Sequence, residues 1–364
     1  MDLIRAAWRR SAIILVCAWT LCGCQGRRNA SDVWMFATPR PIVLAGDSEA
    51  TTPVLKDGSA FFCAGYFWNG ESELYSITTA TGQPQWQVRV GSCPHDGPSL
   101  VGSTVIALAN QEHGTQHVAF GVDAASGRTL WTRDFGESTF NATLGDFLYV
   151  TTFDGPLLRV NPGTGEVRNV EIARAPADPL WIVSSRDGLF VGSGTAVWNI
   201  VDPESTPTLR ATLQSRVGRV TAAAVDGTLL ILQDRERRLT AFDLADGRVR
   251  WRRADRVVSP GAILGSRVFV NTFGPNRWEL DALDAASGDV QWRVQGGFQL
   301  PTRAEERIYA AAGSSVLVVD EKTGRQIAQI PGSLEVVTSP IRAGDVVLYG
   351  TKDGVLHAAR VPAP

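Results

Sequence analysis

Methionine and histidine are scarce in this chain: two and four residues respectively among 364. So few histidines leave little from which to build a metal centre. Charge of one sign is also missing. The 35 basic and 37 acidic residues give a formal net charge of −2, so no basic surplus exists to hold a phosphate backbone, and nucleic-acid binding is disfavoured. The apolar run at Ser11–Leu21 is 11 residues long, well short of the ~20 needed to span a bilayer as a helix. No long stretch repeats its apolar residues every 3.6 positions, so essentially no helix is expected after the N-terminal segment. Gly-x-Ser-x-Gly, Ser-x-x-Lys and His-Glu-x-x-His do not occur, and no nucleophile or base declares itself. What remains is a soluble, globular composition, 44% apolar and 20% charged with a mean hydropathy of −0.02. It excludes a disordered, collagen-like or multi-span membrane protein. Against these scarcities stand 36 glycines and 11 tryptophans, the mark of a chain rich in turns and strands.

The N-terminus reads as an export signal. Arg5, Arg9 and Arg10 precede the short apolar run, which ends in Leu21-Cys22-Gly23-Cys24. That ending resembles a bacterial lipobox, which implies lipidation at Cys24, a signal peptide over 1–23 and a lipidated tether over 24–32. Gln25 follows the cysteine where aspartate would favour inner-membrane retention, so the resemblance implies anchoring to the outer membrane, facing the periplasm. Removal of residues 1–23 takes away three arginines and one aspartate and leaves 32 basic against 36 acidic residues. It also leaves Cys63 and Cys93 as an even pair in an oxidising compartment, where a disulfide between them is one reading and two small buried apolar side chains the other.

A nine-residue pattern recurs along the chain. Asp123-Ala-Ala-Ser-Gly127-Arg-Thr-Leu-Trp131 is echoed at Asp243–Gly247–Trp251 and at Asp284–Gly288–Trp292, more weakly at Thr78–Gly82–Trp86, and without tryptophan at Asn161–Gly165 and Asp320–Gly324. A degenerate copy begins at Asp202, with Thr206 in the glycine slot. Successive slots lie 36 to 45 residues apart, around a period of about 41. The chemistry of the pattern is that of a hairpin. An aspartate carboxylate can accept from backbone N–H groups two or three residues on, and glycine supplies the positive φ that the turn requires. The tryptophan opens the following strand, where its ring can bury a large area against a neighbouring unit.

Two further strands precede each pattern, as at Val258–Leu264 and Arg267–Thr272, joined by short turns such as Asp57-Gly58, Asp187-Gly188 and Asp226-Gly227. Four strands per unit of about 41 residues predicts an all-β, eight-bladed β-propeller over 33–364. Seven blades is the alternative if the unit at 178–214 is incomplete. The last unit, Val337–Val361, is one strand short, and the lone strand Val33–Ala37 is expected to complete it and close the ring, removing exposed sheet edges.

The motif Ala-x-Asp-x-x-(Ser/Thr)-Gly-x-x-x-Trp, closest at Ala241–Trp251 and Ala282–Trp292, resembles the tryptophan-docking repeat of pyrroloquinoline-quinone-type propellers. The resemblance covers nearly all of the chain after the signal. It implies that Trp86, Trp131, Trp251 and Trp292, with Gly82, Gly127, Gly247 and Gly288, lock blades together structurally. Quinone-dependent dehydrogenases of this class carry adjacent cysteines and a calcium site, and neither pattern stands here. No cofactor and no catalytic residue are therefore expected. The lipobox, Gln25, blade number and length are similar to the non-enzymatic BamB-type lipoprotein propellers. That likeness implies a monomeric scaffold for another envelope protein, with a barrel-assembly subunit as the leading partner. An envelope module for glycan or another ligand, and a relative of the quinone dehydrogenases, are the alternatives.

His113-Gly-Thr-Gln-His117 with Glu112 reads as a polar loop of blade two, so no metal site is expected. Strand alternation places the Asp-Gly turns on one face of the ring and the loops between second and third strands on the other. The second set is expected to be long and varied. It carries Trp68, Arg235, Arg237, Arg238 and Trp278, the candidates for a partner-binding face, since exposed aromatics and arginines serve as interface anchors and function concentrates on loops held by rigid scaffolds.

Overall fold

The computed structural model describes residues 32–37, 52–64, 72–91, 97–111, 116–136, 138–152, 155–172, 179–254, 257–259, 263–264, 266–274, 277–296, 299–332, 334–352 and 354–361. The expected signal and Cys24, together with Trp68, Cys93, Glu112 and His113, lie outside them. Every regular element among the described residues is a strand, and no helix there is long and apolar enough to cross a membrane.

The strands form eight antiparallel sheets in simple up-and-down order. Blade 1 comprises Val54–Lys56, Ser59–Ala64, Ser72–Thr78 and Pro84–Gly91, and blade 2 comprises Ser99–Val101, Thr104–Gln111, Gln116–Asp123 and Thr129–Asp134. Blade 3 follows with Ser138–Leu144, Phe147–Thr152, Leu157–Val160 and Val167–Val170. Blade 4 has Trp181–Ser185, Gly188–Ser193, Ala196–Ile200 and Thr208–Thr212. Blade 5 is Val220–Asp226, Leu229–Asp234, Leu239–Asp243 and Val249–Arg253. Blade 6 is Val257–Ser259 with Ile263–Leu264, then Arg267–Phe273, Trp278–Asp284 and Val290–Gln295. Blade 7 is Thr302–Ala304, Arg307–Ala312, Ser315–Asp320 and Gln326–Pro331, and blade 8 takes Ile341–Ala343, Val346–Gly350 and Val355–Arg360 from the end of the chain. Its fourth strand is Asp32–Ala37, paired antiparallel with Val355–Arg360 in a register that sets Phe36 opposite Leu356. The ring is an eight-bladed β-propeller closed by its N-terminal strand.

The second and third strands of each blade lie between two neighbouring sheets, so both of their faces are buried. That is why Phe61-Phe62-Cys63-Ala64, Leu230-Ile231-Leu232 and Val316-Leu317-Val318-Val319 are continuous apolar runs rather than alternating ones. Fourth strands are outermost and alternate: in Val249–Arg253 only Trp251 is buried. The core is accordingly divided among the seams. Eight apolar clusters each join two consecutive blades, from Phe61, Cys63, Val105 and Ala107 at the first seam to Trp34, Phe62, Tyr75, Leu348 and Leu356 at the closing one.

Three particulars differ from the sequence reading or sharpen it. The unit at 178–214 is a complete four-stranded blade, which decides for eight blades over seven. The strand expected as Val258–Leu264 is split in two, and both pieces pair with Arg267–Phe273. The connections between second and third strands are not uniformly long, since residues 194–195 of blade 4 and 313–314 of blade 7 are two-residue turns. Gly194 and Gly313 supply positive φ there, at 61° and 57°.

Candidate binding face and blade seams

The turn between third and fourth strands is built the same way in blades 2, 3, 5, 6 and 7. Asp123 Oδ1 accepts from the Ser126 N–H at 2.8 Å and the Ser126 hydroxyl at 2.6 Å. Asp284 Oδ1 accepts from the N–H groups of Ala286 and Ser287, both at 2.9 Å, and Asp320 Oδ1 from those of Lys322 and Thr323. Asn161 does the same in blade 3, from Gly163 at 2.9 Å and Thr164 at 3.1 Å. These bonds favour the ionised form. The Ser126 hydroxyl holds the Asp123 carboxyl below the usual carboxylate range, the Ala245 N–H does so for Asp243, the Ser287 N–H for Asp284 and the Thr323 hydroxyl for Asp320.

Four turn glycines each serve as a platform for the tryptophan of the preceding blade. A Cβ on Gly127 would lie 2.6 Å from the Trp86 ring, one on Gly165 2.7 Å from Trp131, one on Gly288 2.7 Å from Trp251 and one on Gly324 2.6 Å from Trp292. The indole N–H of each ring then donates to a carbonyl of the same turn: Trp86 to Ala124 at 2.9 Å, Trp131 to Pro162 at 2.5 Å, Trp251 to Ala285 at 3.0 Å and Trp292 to Glu321 at 3.1 Å. Thus the glycine and tryptophan that stand four residues apart in the sequence belong to two different seams.

Three seams depart from this lock. Between blades 3 and 4 the slots hold Asn169 and Thr206. There the side chain of Arg159, 10% exposed, lies over the Phe147 ring at 4.7 Å, donates to the Pro203 carbonyl and pairs with Glu204 at 3.0 Å. Between blades 4 and 5 the tryptophan slot is Arg210, and backbone takes over: Gln214 N–H donates to the Gly247 carbonyl at 2.9 Å. Between blades 7 and 8 the slot is Ala328, and blade 8 has no covalent turn before its fourth strand on which a ring could dock.

On the opposite face, the connection 235–238 carries Arg235, Arg237 and Arg238, all exposed. Arg238 binds Asp234 through Nε at 2.7 Å and Glu236 through Nη2 at 3.1 Å. In blade 6, half-buried Trp278 meets the ring of Phe273 edge-on at 4.7 Å. Phe273 is 41% exposed; the two residues bound one loop in the sequence, and the register of the hairpin sets them directly opposite each other. Of the expected face, then, Arg235, Arg237 and Arg238 share one hairpin and Trp278 stands on the next blade.

Small polar groups on the first strands of blades 2, 3 and 4 bond from blade to blade. Ser184 Oγ donates to the Thr143 carbonyl at 2.5 Å, and Ser99 Oγ to Asn141 Oδ1 at 3.3 Å. Among the described residues no group of three or more His, Cys, Asp or Glu is placed to hold a metal ion. Cys63 is disulfide-bonded.

A ring of tryptophan-docked blades, with short turns on one face and arginine- and aromatic-bearing loops on the other, defines a propeller of the pyrroloquinoline-quinone-repeat class. The chain matches the family described as outer membrane protein assembly factor BamB over residues 27–170 and 188–359, and it belongs to that family. The interruption falls where blade 4 begins and the lock is missing. No curated protein matches the chain. Among solved structures, the computationally designed Ika8 protein superposes with a TM-score of 0.65 at 14% identity, over 88% of this chain and 99% of its own. A europium-containing methanol dehydrogenase gives 0.61 at 11% identity, over 87% and 84%. BamB from Moraxella catarrhalis gives 0.46 at 14% identity, over 90% and 99%. At these identities the first two likenesses speak to the fold alone.

Proposed function

We propose that the protein is a non-catalytic lipoprotein scaffold of the bacterial envelope. In this reading it is processed at Cys24, anchored by lipid to the outer membrane, faces the periplasm, and holds another envelope protein on its loop face. A subunit of the β-barrel assembly machinery is the specific partner we favour. The family match across both halves of the ring carries this reading, and the exposed Arg235, Arg237 and Phe273 beside Trp278 supply anchors of the kind interfaces use. Two or three acyl chains on Cys24 would anchor it stably where one would not, and Cys93 is the partner we assign to Cys63. The methanol dehydrogenase shares the ring, and none of its chemistry is carried over.

The test is in-cell photocrosslinking from positions 68 and 278, with mass spectrometry of what is captured, alongside palmitate labelling of the wild type and Cys24→Ala. Capture of a barrel-assembly subunit, with label lost in Cys24→Ala, supports the scaffold. Folded, membrane-associated protein that captures nothing at either position removes the loop face from consideration.

A further inference from the structure

We propose that the blade-5 hairpin Asp234–Arg238, together with Arg216 and Arg219 of the connector that precedes the blade, is a cationic cleat for an extended acidic segment of the partner protein. The proposal rests on the loop face being the partner's face and names the chemistry of what binds there.

In a chain of net charge −2, Arg216, Arg219, Arg235, Arg237, Arg238 and Arg252 are all exposed, and the acids within the hairpin itself are Asp234 and Glu236. They share one surface. The Arg235 N–H donates to the Arg219 carbonyl at 3.0 Å, and Arg252 Nη2 reaches Ser215 Oγ at 2.6 Å. Both acids are committed to one guanidinium, since Arg238 pairs with Asp234 at 2.7 Å and with Glu236 at 3.1 Å. Among the described residues no acid pairs with Arg235 or Arg237, so the hairpin tip presents two uncompensated guanidinium groups.

The backbone points the same way. Arg237 has φ of 63° and is one of four non-glycine residues at positive φ among the described residues; the other three, Asp57, Glu305 and Glu306, lie in turns on the opposite face. Most positive-φ positions among the described residues are glycine, the residue that occupies them without steric cost. An arginine held there gives up backbone stability to keep a guanidinium at the tip. Arginine forks also suit carboxylates, which they bind through two parallel hydrogen bonds. The corresponding hairpin of the next blade carries the edge-on pair Phe273–Trp278, an apolar foothold on the same face.

A discrete segment fits better than a flat anionic membrane. Glu236 sits in the tip with its side chain 60% exposed. A continuous negative surface would press against it, whereas spaced carboxylates can sit to either side.

The intact lipidated chain in detergent would be titrated against a fluorescein-labelled peptide of alternating Asp, Glu and Ser with one central Trp, read by anisotropy at rising salt. We expect salt-sensitive binding that weakens by about tenfold or more in Arg235→Glu/Arg237→Glu, with little change in Lys322→Glu/Arg325→Glu, which alters the net charge equally on the opposite face. Arg237→Gly relaxes the turn and should weaken binding while melting no lower than the wild type, which separates recognition from folding. Equal loss in both charge reversals, no binding even at low salt, or binding only to phosphatidylglycerol vesicles would each overturn the cleat. If position 278 still captures a partner while the peptide fails, the scaffold reading stands and the acidic segment falls.

Discussion

The indole of Trp34 lies across Gly82, and its Nε1–H donates to the Thr79 carbonyl at 2.8 Å. Trp34 belongs to the strand that completes blade 8 and Gly82 to the turn of blade 1, so the non-covalent closure of the ring uses the same contact that joins covalently consecutive blades. The closing strand adds a buried polar contact: His357 Nδ1 stands 3.2 Å from Asp32 Oδ2, with neither side chain exposed. His357 Nε2 lies 3.1 Å from Thr351 Oγ1, and the imidazole stacks on Tyr349 at 4.9 Å. Removing either side chain would take a buried hydrogen-bond contact away from the strand that closes the ring.

Gly82→Ala and Gly58→Ala should therefore differ sharply. Both glycines have positive φ, 70° and 76°, but a Cβ at 82 would lie 2.4 Å from the Trp34 ring whereas one at 58 meets nothing within 4 Å. Gly58→Ala should cost about 1–2 kcal/mol in backbone strain alone. Gly82→Ala should cost about 1–3 kcal/mol more from overpacking. Denaturant unfolding measures both, and equal losses would show that the ring tolerates a displaced Trp34.

The lock at the fifth seam can be isolated with a double-mutant cycle. Trp251→Ala should destabilise by about 3–5 kcal/mol. Gly288→Ala should be costly with Trp251 present and retain only its φ strain once the ring is gone, giving a coupling of about 1–3 kcal/mol. Additive losses would mean that the contact at 2.7 Å relaxes freely.

The propeller was legible because its signals are local. Asp, Gly and the strands around them fix a turn within a few residues, so seven glycine or glycine-equivalent slots disclosed the blades, and the unpaired strand at Val33–Ala37 disclosed the closure. Which ring docks on which glycine was not legible. Gly127 and Trp131 are neighbours in sequence, yet Gly127 carries Trp86 and Trp131 rests on Gly165, because a fourth strand turns its tryptophan away from its own turn and towards the next blade. The substitute at the blade 3–4 seam was equally hidden. Arg159 stands in an ordinary third strand, and only tertiary packing brings it to Pro203 and Glu204. Of the binding face, the arginines of 235–238 could be read as a polar hairpin tip. The surrender of both acids to Arg238 and the arrival of Phe273 beside Trp278 required the fold.

Arg159 should stand in for the missing tryptophan lock at that third seam. Arg159→Ala removes a nearly buried guanidinium from the Pro203 carbonyl, the Phe147 ring and Glu204, and should lower stability by about 2–3 kcal/mol. Glu204 is 71% exposed, so Glu204→Gln should cost less than about 1 kcal/mol. Thermal melting of the two variants compares them directly, and a larger effect from Glu204→Gln would assign the seam to the ion pair instead.

Acid should attack the turns first. In the folded chain the carboxyls of Asp123, Asp243, Asp284 and Asp320 are held below the usual carboxylate range, by the Ser126 hydroxyl, the Ala245 N–H, the Ser287 N–H and the Thr323 hydroxyl respectively. A carboxyl whose folded pKa is depressed stabilises the fold fully above its unfolded value, near ~3.9, and loses that contribution as pH falls through the folded value. Melting temperature should consequently be indifferent to these four groups at neutral pH and decline below about pH 4. Asn161 shows that the turn can be made without a charge, accepting from the N–H groups of Gly163 and Thr164 at 2.9 and 3.1 Å. Replacing the four aspartates by asparagine keeps an oxygen acceptor in each turn but nothing that titrates. The variant should melt somewhat lower than the wild type at pH 7 and lose less on acidification, so that the two curves converge as pH falls. Parallel curves would place the acid-sensitive groups elsewhere.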